Sequence, residues 1–464
     1  MRSVVLRSGK SSTFALLLVV LVSFFAMALV PATSEGGSVA MRASDFLNTL
    51  GADTHLIQGL ETPAAVIAGL RYTGVRNLRD DATRDTSKIA KLCAIHRATS
   101  AMVDELPIVD SDPNNIAYTQ AEYEQLAACG AMLAAEGPNE PNNFAFNYKG
   151  KTCSIHGSFL ACAQYMAAEY AMVKGDPMLA GMQVWDQTEP GAEPDNTGLQ
   201  FLTVPSEQGT IEPAGTVFAD VANLHNYVMG NGQKTIADNQ AWSAEWTAGG
   251  PWDGLVGEYC DKTWKGYAAT PIASCTMPKV TTETGWPSTS ITQDQQGKLI
   301  TNVYLSAAKL GWQNTFVYLL FDEPQANNAG WGFFSQSDGT ANVRPKLLGT
   351  YTHNMTTILN DTSSKFTPGT VNYSVANEPN TVHDLLMEKS NGTYDLIIWG
   401  DQVPPKSANV IVHLGSSYPT VNVYDITSGT TPTRTLSNAT SVPLTLTDHA
   451  LIVEFRSRLL RPNQ

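Results

Sequence analysis

Positive charge and histidine are scarce in this chain of 464 residues. Lys and Arg number 29 against 43 Asp and Glu, which gives a formal net charge of -14, and there are eight histidines. A nucleic-acid partner is not expected, because its phosphates would be repelled by the negative chain. No Cys-x-x-Cys unit, paired-histidine spacing or Gly-x-Ser-x-Gly elbow occurs. These absences weigh against a zinc site and against a metal-dependent hydrolase or esterase.

Long apolar runs are also absent after residue 30. The run Phe14 to Val30 follows a basic N-terminus and precedes the small and polar residues "PATSEGGS". This order predicts a secretory signal peptide over residues 1–34. A membrane anchor is the alternative, because the run approaches the length that spans a bilayer. We expect a secreted or extracellular protein, in the periplasm or at the cell surface in a bacterium, without stable membrane insertion after cleavage.

Cysteine is present in an even number, which in an exported chain favours disulfides. Two pairs are close in sequence and each brackets a polar stretch, and the remaining two cysteines form the third pair. The predicted disulfides are Cys153 with Cys162, Cys260 with Cys275, and Cys93 with Cys129.

Short β-like runs alternate with longer helical patterns over residues 44–358. The eight strand candidates are "NTLGADTHL", "GVRNLRD", "LPIVD", "AMLAAEG", "AGMQVWD", "DVANLHNYV", "KVTTETGW" and "NTFVYLLF". Helical patterns between them include residues 86–106, 119–130, 159–174 and 293–310. Eight alternating units predict a parallel (β/α)8 TIM barrel. A doubly wound open sheet is the alternative, although no Gly-rich phosphate loop follows the first strand.

Residues 359–464 differ from the preceding region in their pattern of apolar and polar residues. The segments "TYDLIIWG", "SANVIVHLG", "TVNVYDIT" and "HALIVEF" alternate apolar and polar residues and are separated by turn-forming residues. They predict a smaller, all-β antiparallel sandwich domain. Residues 35–43 are expected to add a strand to it.

Two glutamates end predicted barrel strands. Glu140 follows the fourth strand candidate, and Glu283 ends the seventh. The carboxyl ends of barrel strands gather at one rim, where active sites lie. Two acids at one rim suit glycosidic cleavage, in which one protonates the leaving oxygen and the other attacks or activates water.

The motifs around these acids resemble a known group of enzymes. The "NEP" at Asn139–Pro141 and the "ETGWPS" at Glu283–Ser288 are similar to the acid/base and nucleophile signatures of clan A glycoside hydrolases, which are retaining barrel enzymes. An accessory β-sandwich follows the barrel in several of these families. The resemblance implies that Glu140 is the acid/base and Glu283 the nucleophile. The strand-seven segment is also similar to that of endo-β-1,3-glucanases.

Further residues are implied by the same resemblance. Arg79 would bind the nucleophile carboxylate and keep it ionised, and Tyr227 would contact it too. His225 would lie beside Tyr227 in the site, and Asn139 would bind the sugar 2-hydroxyl. The acid role requires a raised pKa of Glu140, which burial and ionised Glu283 would supply.

Several neighbours have competing interpretations. Phe144, Phe146 and Tyr148 are candidates to line sugar subsites, with packing of their loop against the barrel as the alternative. Trp286 and Trp331 are candidates for the floor of a subsite, with core packing as the alternative. Glu136 is expected to be a buried acid paired with an arginine, and is the rival proton donor. Acids expected to be solvated are Glu189, Glu193 and Glu323, with a substrate contact as the alternative for Glu323.

The sequence thus predicts a secreted retaining β-glycoside hydrolase that acts on oligo- or polysaccharides and needs no cofactor or metal. Candidate substrates are β-1,3-glucan and other β-glucosides, β-xylosides and β-glucuronides. A non-catalytic carbohydrate-binding or cell-wall-associated barrel protein is the alternative. We expect a monomer whose partner is a carbohydrate substrate.

Overall fold

The computed structural model describes most of the chain after residue 36. The described residues are 37–110, 112–141, 143–153, 159–188, 216–225, 227, 278–325, 327–379, 381–400 and 407–456. The predicted signal peptide, Glu189, Glu193 and the predicted disulfide of Cys260 with Cys275 lie outside them. Within these ranges, no helix has both the length and the apolar character needed to cross a membrane.

The regular elements fall into a mixed first part and an all-β last part. The eight barrel strands, numbered 1 to 8 in chain order, are Leu50–Asp53, Asn77–Asp80, Met102–Glu105, Met132–Glu136, Gln183–Trp185, Ala222–Leu224, Lys279–Thr284 and Asn314–Val317. The helices are Ala43–Asn48, Pro63–Thr73, Thr86–Thr99, Asn115–Ala128, Phe159–Gly175, Gln293–Lys309 and Leu347–Ile358. The other strands are Ser38–Val39, Met41–Arg42, Phe146–Tyr148, Lys151–Cys153, Thr370–Val371, Ser374–Ala376, Val382–Glu388, Thr393–Gly400, Ala408–Asp425, Arg434–Leu446 and Ala450–Arg456.

The barrel strands form one parallel sheet in the order 6-7-8-1-2-3-4-5. The ring closes between strands 5 and 6 through a parallel bridge of Trp185 with Val221 and the bond from the Asp186 N–H to the Val221 carbonyl, 2.9 Å. The predicted fold class, a (β/α)8 barrel followed by a smaller antiparallel β domain, is confirmed. The closed ring also excludes the doubly wound open sheet.

The position predicted for the third barrel strand is wrong. It runs over Met102–Glu105, within the segment expected to be helical, and the helix before it ends at Thr99. The expected strand "LPIVD" is irregular chain that follows strand 3. The pattern misled because strand 3 carries Asp104 and Glu105, both fully buried, where apolar residues are the usual signal.

Aromatic side chains fill the lower interior of the barrel. Trp185 and Phe316 are buried there with ring centroids 6.1 Å apart, edge to face. Gly51 in strand 1 makes room for them, since a Cβ at this position would lie 2.4 Å from the Phe316 ring. The polar side chains of the site therefore stand on a packed floor.

The last part of the chain is an antiparallel sheet with one parallel edge pair. Two of the predicted strands are the two halves of Ala408–Asp425, and Arg434–Leu446, which was not predicted, pairs along both halves. Within segment 35–43, Met41–Arg42 pairs with Val382–Glu388. Trp399 and Ile452 join the same hydrophobic core as the barrel helices, so the two parts pack together.

Two of the three predicted disulfides lie in the described residues, and both are confirmed. Cys93 and Cys129 join the helices on either side of strand 3, with their Cα atoms 6.0 Å apart. Cys153 and Cys162 join the hairpin after strand 4 to the next helix, with Cα atoms 4.9 Å apart.

Candidate active site

Glu140 reaches the barrel mouth through a tight turn after strand 4. Gly137 begins this turn, and a Cβ there would lie 2.6 Å from the Gln187 nitrogen and from the Met166 sulfur. Glu140 itself has φ of +41°, a left-handed conformation that costs free energy in a non-glycine residue. Its backbone nitrogen donates to Thr188 Oγ1 at 3.2 Å. The turn therefore holds the carboxyl in a defined position, 7% exposed.

Glu283 enters the mouth because strand 7 is irregular. The pairing of strands 7 and 8 shifts register between Thr281 and Thr284. Without this bulge Glu283 would point away from the interior, since its neighbour Thr282 already points inward. With it, both side chains reach polar partners inside the barrel.

Arg79 of strand 2 connects the acids of the site. Its Nη1 donates to Glu283 Oε1 at 2.8 Å, and its Nε donates to Glu136 Oε2 at 2.6 Å. Its Nη2 donates to Glu136 Oε1 at 3.1 Å and to Asn139 Oδ1 at 2.8 Å. Because the Asn139 oxygen is engaged, its NH₂ group is the part of the amide that can meet a ligand. Glu136 is fully buried, as expected of a structural acid.

His225 lies between the two candidate catalytic acids. Its Nδ1 is 2.7 Å from Glu140 Oε1 and 3.5 Å from Glu283 Oε2, and its Nε2 is 3.0 Å from Thr282 Oγ1. Tyr227 donates its hydroxyl to Glu283 Oε2 at 2.6 Å. The structure thus brings Glu140, Glu283, Arg79, Asn139, His225 and Tyr227 together, as the sequence predicted.

The predicted rise in the pKa of Glu140 is not found. Burial acts to raise this pKa, but the hydrogen bond and charge of His225 and the bond from Asn143, 2.8 Å to Oε2, outweigh it, so the pKa is lowered. His225 is therefore the neighbour that does most to lower the pKa of Glu140. The rise was expected from apolar neighbours and Glu283 alone, whereas His225 and Asn143 also contact the Glu140 carboxyl.

Two site residues were missed by the sequence analysis. Asn223 donates from Nδ2 to Glu136 Oε1 at 3.0 Å, and Thr282 is 2.7 Å from the same oxygen. Both could have been found from strand geometry: Asn223 lies two residues before His225, on the same face of strand 6, and Thr282 precedes Glu283.

The ligand atoms of Glu140, His225 and Glu283 all lie within 4.8 Å of one another. Among the described residues, this set has the donor atoms to hold a metal ion. Arg79 already supplies a positive charge next to Glu283, which weakens the attraction for a cation. The arrangement suits two carboxylates with separate proton-transfer and nucleophilic tasks.

Aromatic rings form one wall of the cleft. Trp331 meets Tyr227, Trp286 and Tyr318 edge to face, with centroids 5.4, 6.2 and 5.7 Å away. All four rings contribute to the cleft lining, together with Phe144, which is 62% exposed.

The segment after Glu140 splits into exposed and packed rings. Phe146 is 5% exposed, and both Phe146 and Tyr148 lie edge to face on Tyr165. Core packing is therefore the correct interpretation for Phe146 and Tyr148.

Glu323 is not the solvated residue expected from its Asp-Glu-Pro turn. Its side chain is 2% exposed, Oε1 bonds to Nδ1 of His55, and Oε2 accepts from Asn328 Nδ2 at 2.6 Å. His55, which the sequence analysis did not single out, lines the same cleft as Glu140 and Glu283. The turn was misread because its partner, His55, lies 268 positions earlier in the chain.

No family model matches the chain, and no curated protein matches its sequence. Solved structures do match. One is a family 39 glycoside hydrolase from the gut symbiont Bacteroides cellulosilyticus WH2, with TM-score 0.61 and 12% identity, over 90% of this chain and 82% of that one. Another is the glycoside hydrolase family 30 subfamily 8 xylanase from Clostridium acetobutylicum, with TM-score 0.50 and 13% identity, over 91% and 97%.

The resemblance to β-1,3-glucan enzymes is weak at the level of structure. The family 17 β-1,3-glucanosyltransferase from Rhizomucor miehei matches 63% of this chain and 97% of its own, with 13% identity and TM-score 0.41, too low to support an argument. At these identities the matches show the fold: a (β/α)8 barrel with an appended β domain, as in glycoside hydrolases of families 39 and 30.

Proposed function

We propose that this protein is a retaining β-glycoside hydrolase, with Glu140 as acid/base and Glu283 as nucleophile. The observation that carries the proposal is the convergence of both carboxylates on Nδ1 of His225, at 2.7 and 3.5 Å. Oxygens of the two groups lie within 4.8 Å of one another. Retaining enzymes separate these carboxyls by about 5–5.5 Å, and inverting enzymes by about 6.5–9.5 Å. This approach of one oxygen from each group suits the close pair of a retaining enzyme.

The proposed reaction has two displacements. Glu283 attacks the anomeric carbon, the glycosidic C–O bond breaks, and Glu140 gives its proton to the leaving oxygen. Water then attacks the same carbon, gives a proton to Glu140, and releases Glu283. Arg79 and Tyr227 each bind one oxygen of Glu283 and so aim it as a carboxylate.

The Glu140–His225 pair accounts for a proton donor with a lowered pKa. The hydroxyl of Thr282 donates a hydrogen bond to Glu136, so its oxygen accepts a hydrogen bond from Nε2 of His225. One further proton then lies between Nδ1 of His225 and Oε1 of Glu140. In the bound state this proton belongs to Glu140, because a leaving oxygen that gains negative charge attracts it.

The substrate class follows from the lining of the cleft. The NH₂ group of Asn139 is placed to bind the sugar 2-hydroxyl, and Trp286, Trp331 and Phe144 offer faces for sugar rings. The family 30 match is a xylanase, which makes β-xylosides the first substrates to test, ahead of β-glucosides, β-glucuronides and β-1,3-glucan. The two disulfides favour an exported protein.

A substrate screen followed by active-site labelling tests the proposal. The purified chain is incubated with aryl β-xylosides, β-glucosides and β-glucuronides and with β-glycans, and the anomer released is followed by NMR. We expect the β anomer first and, after reaction with a 2-fluoro sugar of the preferred type, a covalent label on Glu283. An α anomer, or a label on another residue, would contradict the assignment.

A further inference from the structure

We propose that His55 binds the glycone sugar in this cleft and that buried Glu323 orients it for that task. The inference rests on the proposed function and adds a specificity-determining residue to the same cleft. His55 follows strand 1, lines the cleft, and bonds through Nδ1 to Glu323. Its Nε2 is therefore the ring nitrogen that can donate to a ligand.

Glu323 supports His55 and does not read the substrate itself. One oxygen is taken by His55 and the other by Asn328, and the side chain is 2% exposed. A carboxylate in this setting has no remaining surface for a sugar hydroxyl. What it does is fix the plane of the imidazole and stabilise a proton on Nδ1. His55 is 14% exposed, and its Nε2 lies on the ring edge opposite the Nδ1 that meets Glu323.

The ring contacts place His55 on the nucleophile side of the cleft. Tyr227, which binds Glu283, contacts Trp331, Trp331 contacts Tyr318, and Tyr318 contacts His55 at a centroid distance of 5.7 Å. The sugar that is transferred to Glu283 lies on this side, whereas the leaving group lies beside Glu140. A sugar here can lay an apolar face on the rings and accept a hydrogen bond from Nε2 of His55 through a hydroxyl.

Acidic groups surround His55 on several sides. Besides Glu323, they are Asp80 at the end of strand 2 and Asp81 after it, Asp53 at the end of strand 1, and Glu61, which accepts from the His55 backbone nitrogen at 3.2 Å. Burial lowers the pKa of His55, but the bond and charge of Glu323 outweigh it and raise this pKa to about 9. The imidazole thus stays protonated, and a donor, up to that pH.

The first experiment replaces His55 and compares it with a histidine outside the cleft. The variants are His55→Gln and His96→Gln; His96 bonds to the Ala101 carbonyl on a barrel helix. On the best glycoside of the substrate screen we expect His55→Gln to raise KM about tenfold with kcat nearly unchanged, the effect of losing one charged hydrogen bond. An unchanged KM, or an effect on kcat alone, would overturn the inference.

A second variant separates binding from a merely structural role. In the native protein KM should rise as the pH passes about 9, where His55 loses its proton. Glu323→Gln removes the stabilising charge, so the same rise should begin at a lower pH. A Glu323→Gln protein that is less stable but keeps the native pH profile of KM would show a structural role only.

Binding measurements keep this inference distinct from the proposed function. If the native protein cleaves no glycoside, the proposed function fails, and xylo- and cello-oligosaccharides are then titrated calorimetrically into the native and His55→Gln proteins. Tenfold weaker binding to His55→Gln would support the sugar site by itself. No binding to the native protein would overturn it.

Discussion

The acids at the mouth of the barrel and the acids around strand 3 differ in one respect: their hydrogen-bond donors. Both oxygens of Glu140 have partners, His225 and Asn143, and so do both oxygens of Glu283, Arg79 and Tyr227. Around strand 3, among the described residues, no N–H or hydroxyl donor reaches either oxygen of the acids Asp104 and Glu105, nor of Asp53 in strand 1. The side-chain partners of Asp104 and Glu105 are other carboxyls, Glu136 and Glu122.

Without such donors, burial favours the neutral form of a carboxyl. Burial raises the pKa of Asp104 and of Glu105 well above its usual value, with nearby Glu136 and Glu122 adding to the rise. Burial therefore works against the charged form of both groups, and a buried neutral acid needs no cation. Hydrogen-bond donors favour the carboxylate form of the rim acids, whereas burial favours the neutral form of the acids around strand 3.

The largest expected effect follows from one substitution made in both regions. Glu283→Gln removes the attacking carboxylate, so turnover on any glycoside that the native protein cleaves should fall below detection. Glu105→Gln replaces a neutral acid with a neutral isostere and should leave kcat within about threefold, because the residue does not contact the cleft. Steady-state rates of the two variants check this contrast. Equal loss of activity in both would show that rim and interior acids do not differ as described.

Glu140→Gln should have the next largest effect. Loss of acid catalysis is expected to slow hydrolysis by about 10²- to 10⁴-fold for sugars as leaving groups. The loss should be smaller for activated aryl glycosides, whose leaving oxygen needs little protonation. A plot of log kcat/KM against the pKa of the leaving group, for the native protein and the variant, measures this. Equal slopes would contradict the acid role.

Most barrel strands and the positions of the charged residues at the barrel mouth could be predicted from the sequence. Seven barrel strands lie within their predicted segments because apolar runs bounded by polar residues identify buried parallel strands. Glu140 and Glu283 could be predicted because strand ends share one rim. Arg79 followed from the family resemblance, and the structure places it between Glu136 and Glu283.

The features that could not be predicted from the sequence depend on contacts between distant parts of the chain. Strand 3 was missed because its acids are stabilised by neutralisation, which hydropathy does not register. The bond from His225 that lowers the pKa of Glu140 joins residues 85 positions apart. His55 could not be paired with Glu323 without knowing that strands 1 and 8 are neighbours.

Because burial raises the pKa values of these acids, we expect the stability of the protein to decline with rising pH. Burial raises the pKa of Glu122 from 4.5 to about 8. A carboxyl whose pKa is higher in the folded state stabilises fully below pH 4.5, and this contribution is lost as the pH rises to about 8. The free energy of unfolding should fall by on the order of 1 kcal/mol per pH unit in this window.

Glu122→Gln should make this decline shallower by the share of one carboxyl, because glutamine cannot ionise and its oxygen can still accept from the Thr83 nitrogen. Asp104 and Glu105, whose pKa values are also raised, keep their own shares. Urea unfolding between pH 5 and pH 8 measures the slope. Asp338→Asn is the control: Asp338 is exposed and its pKa is lowered, so it does not titrate in this range. A native-like slope in Glu122→Gln would assign the pH dependence to other groups.

The smallest effect on activity is expected for Phe144→Ala at the edge of the rim, and Phe146→Ala is the matched variant that makes the same change in a buried ring nearby. Phe144 is 62% exposed and lines the cleft, so its loss should raise KM by roughly two- to tenfold and leave stability unchanged. Phe146 is buried against Tyr165, so its loss should lower the free energy of unfolding by about 3–5 kcal/mol. Steady-state kinetics and urea unfolding of both variants give opposite patterns if Phe144 contacts sugar. If Phe144→Ala leaves KM unchanged on every substrate cleaved, Phe144 does not contact the sugar, and Trp286 and Trp331 are the remaining candidates for ring stacking.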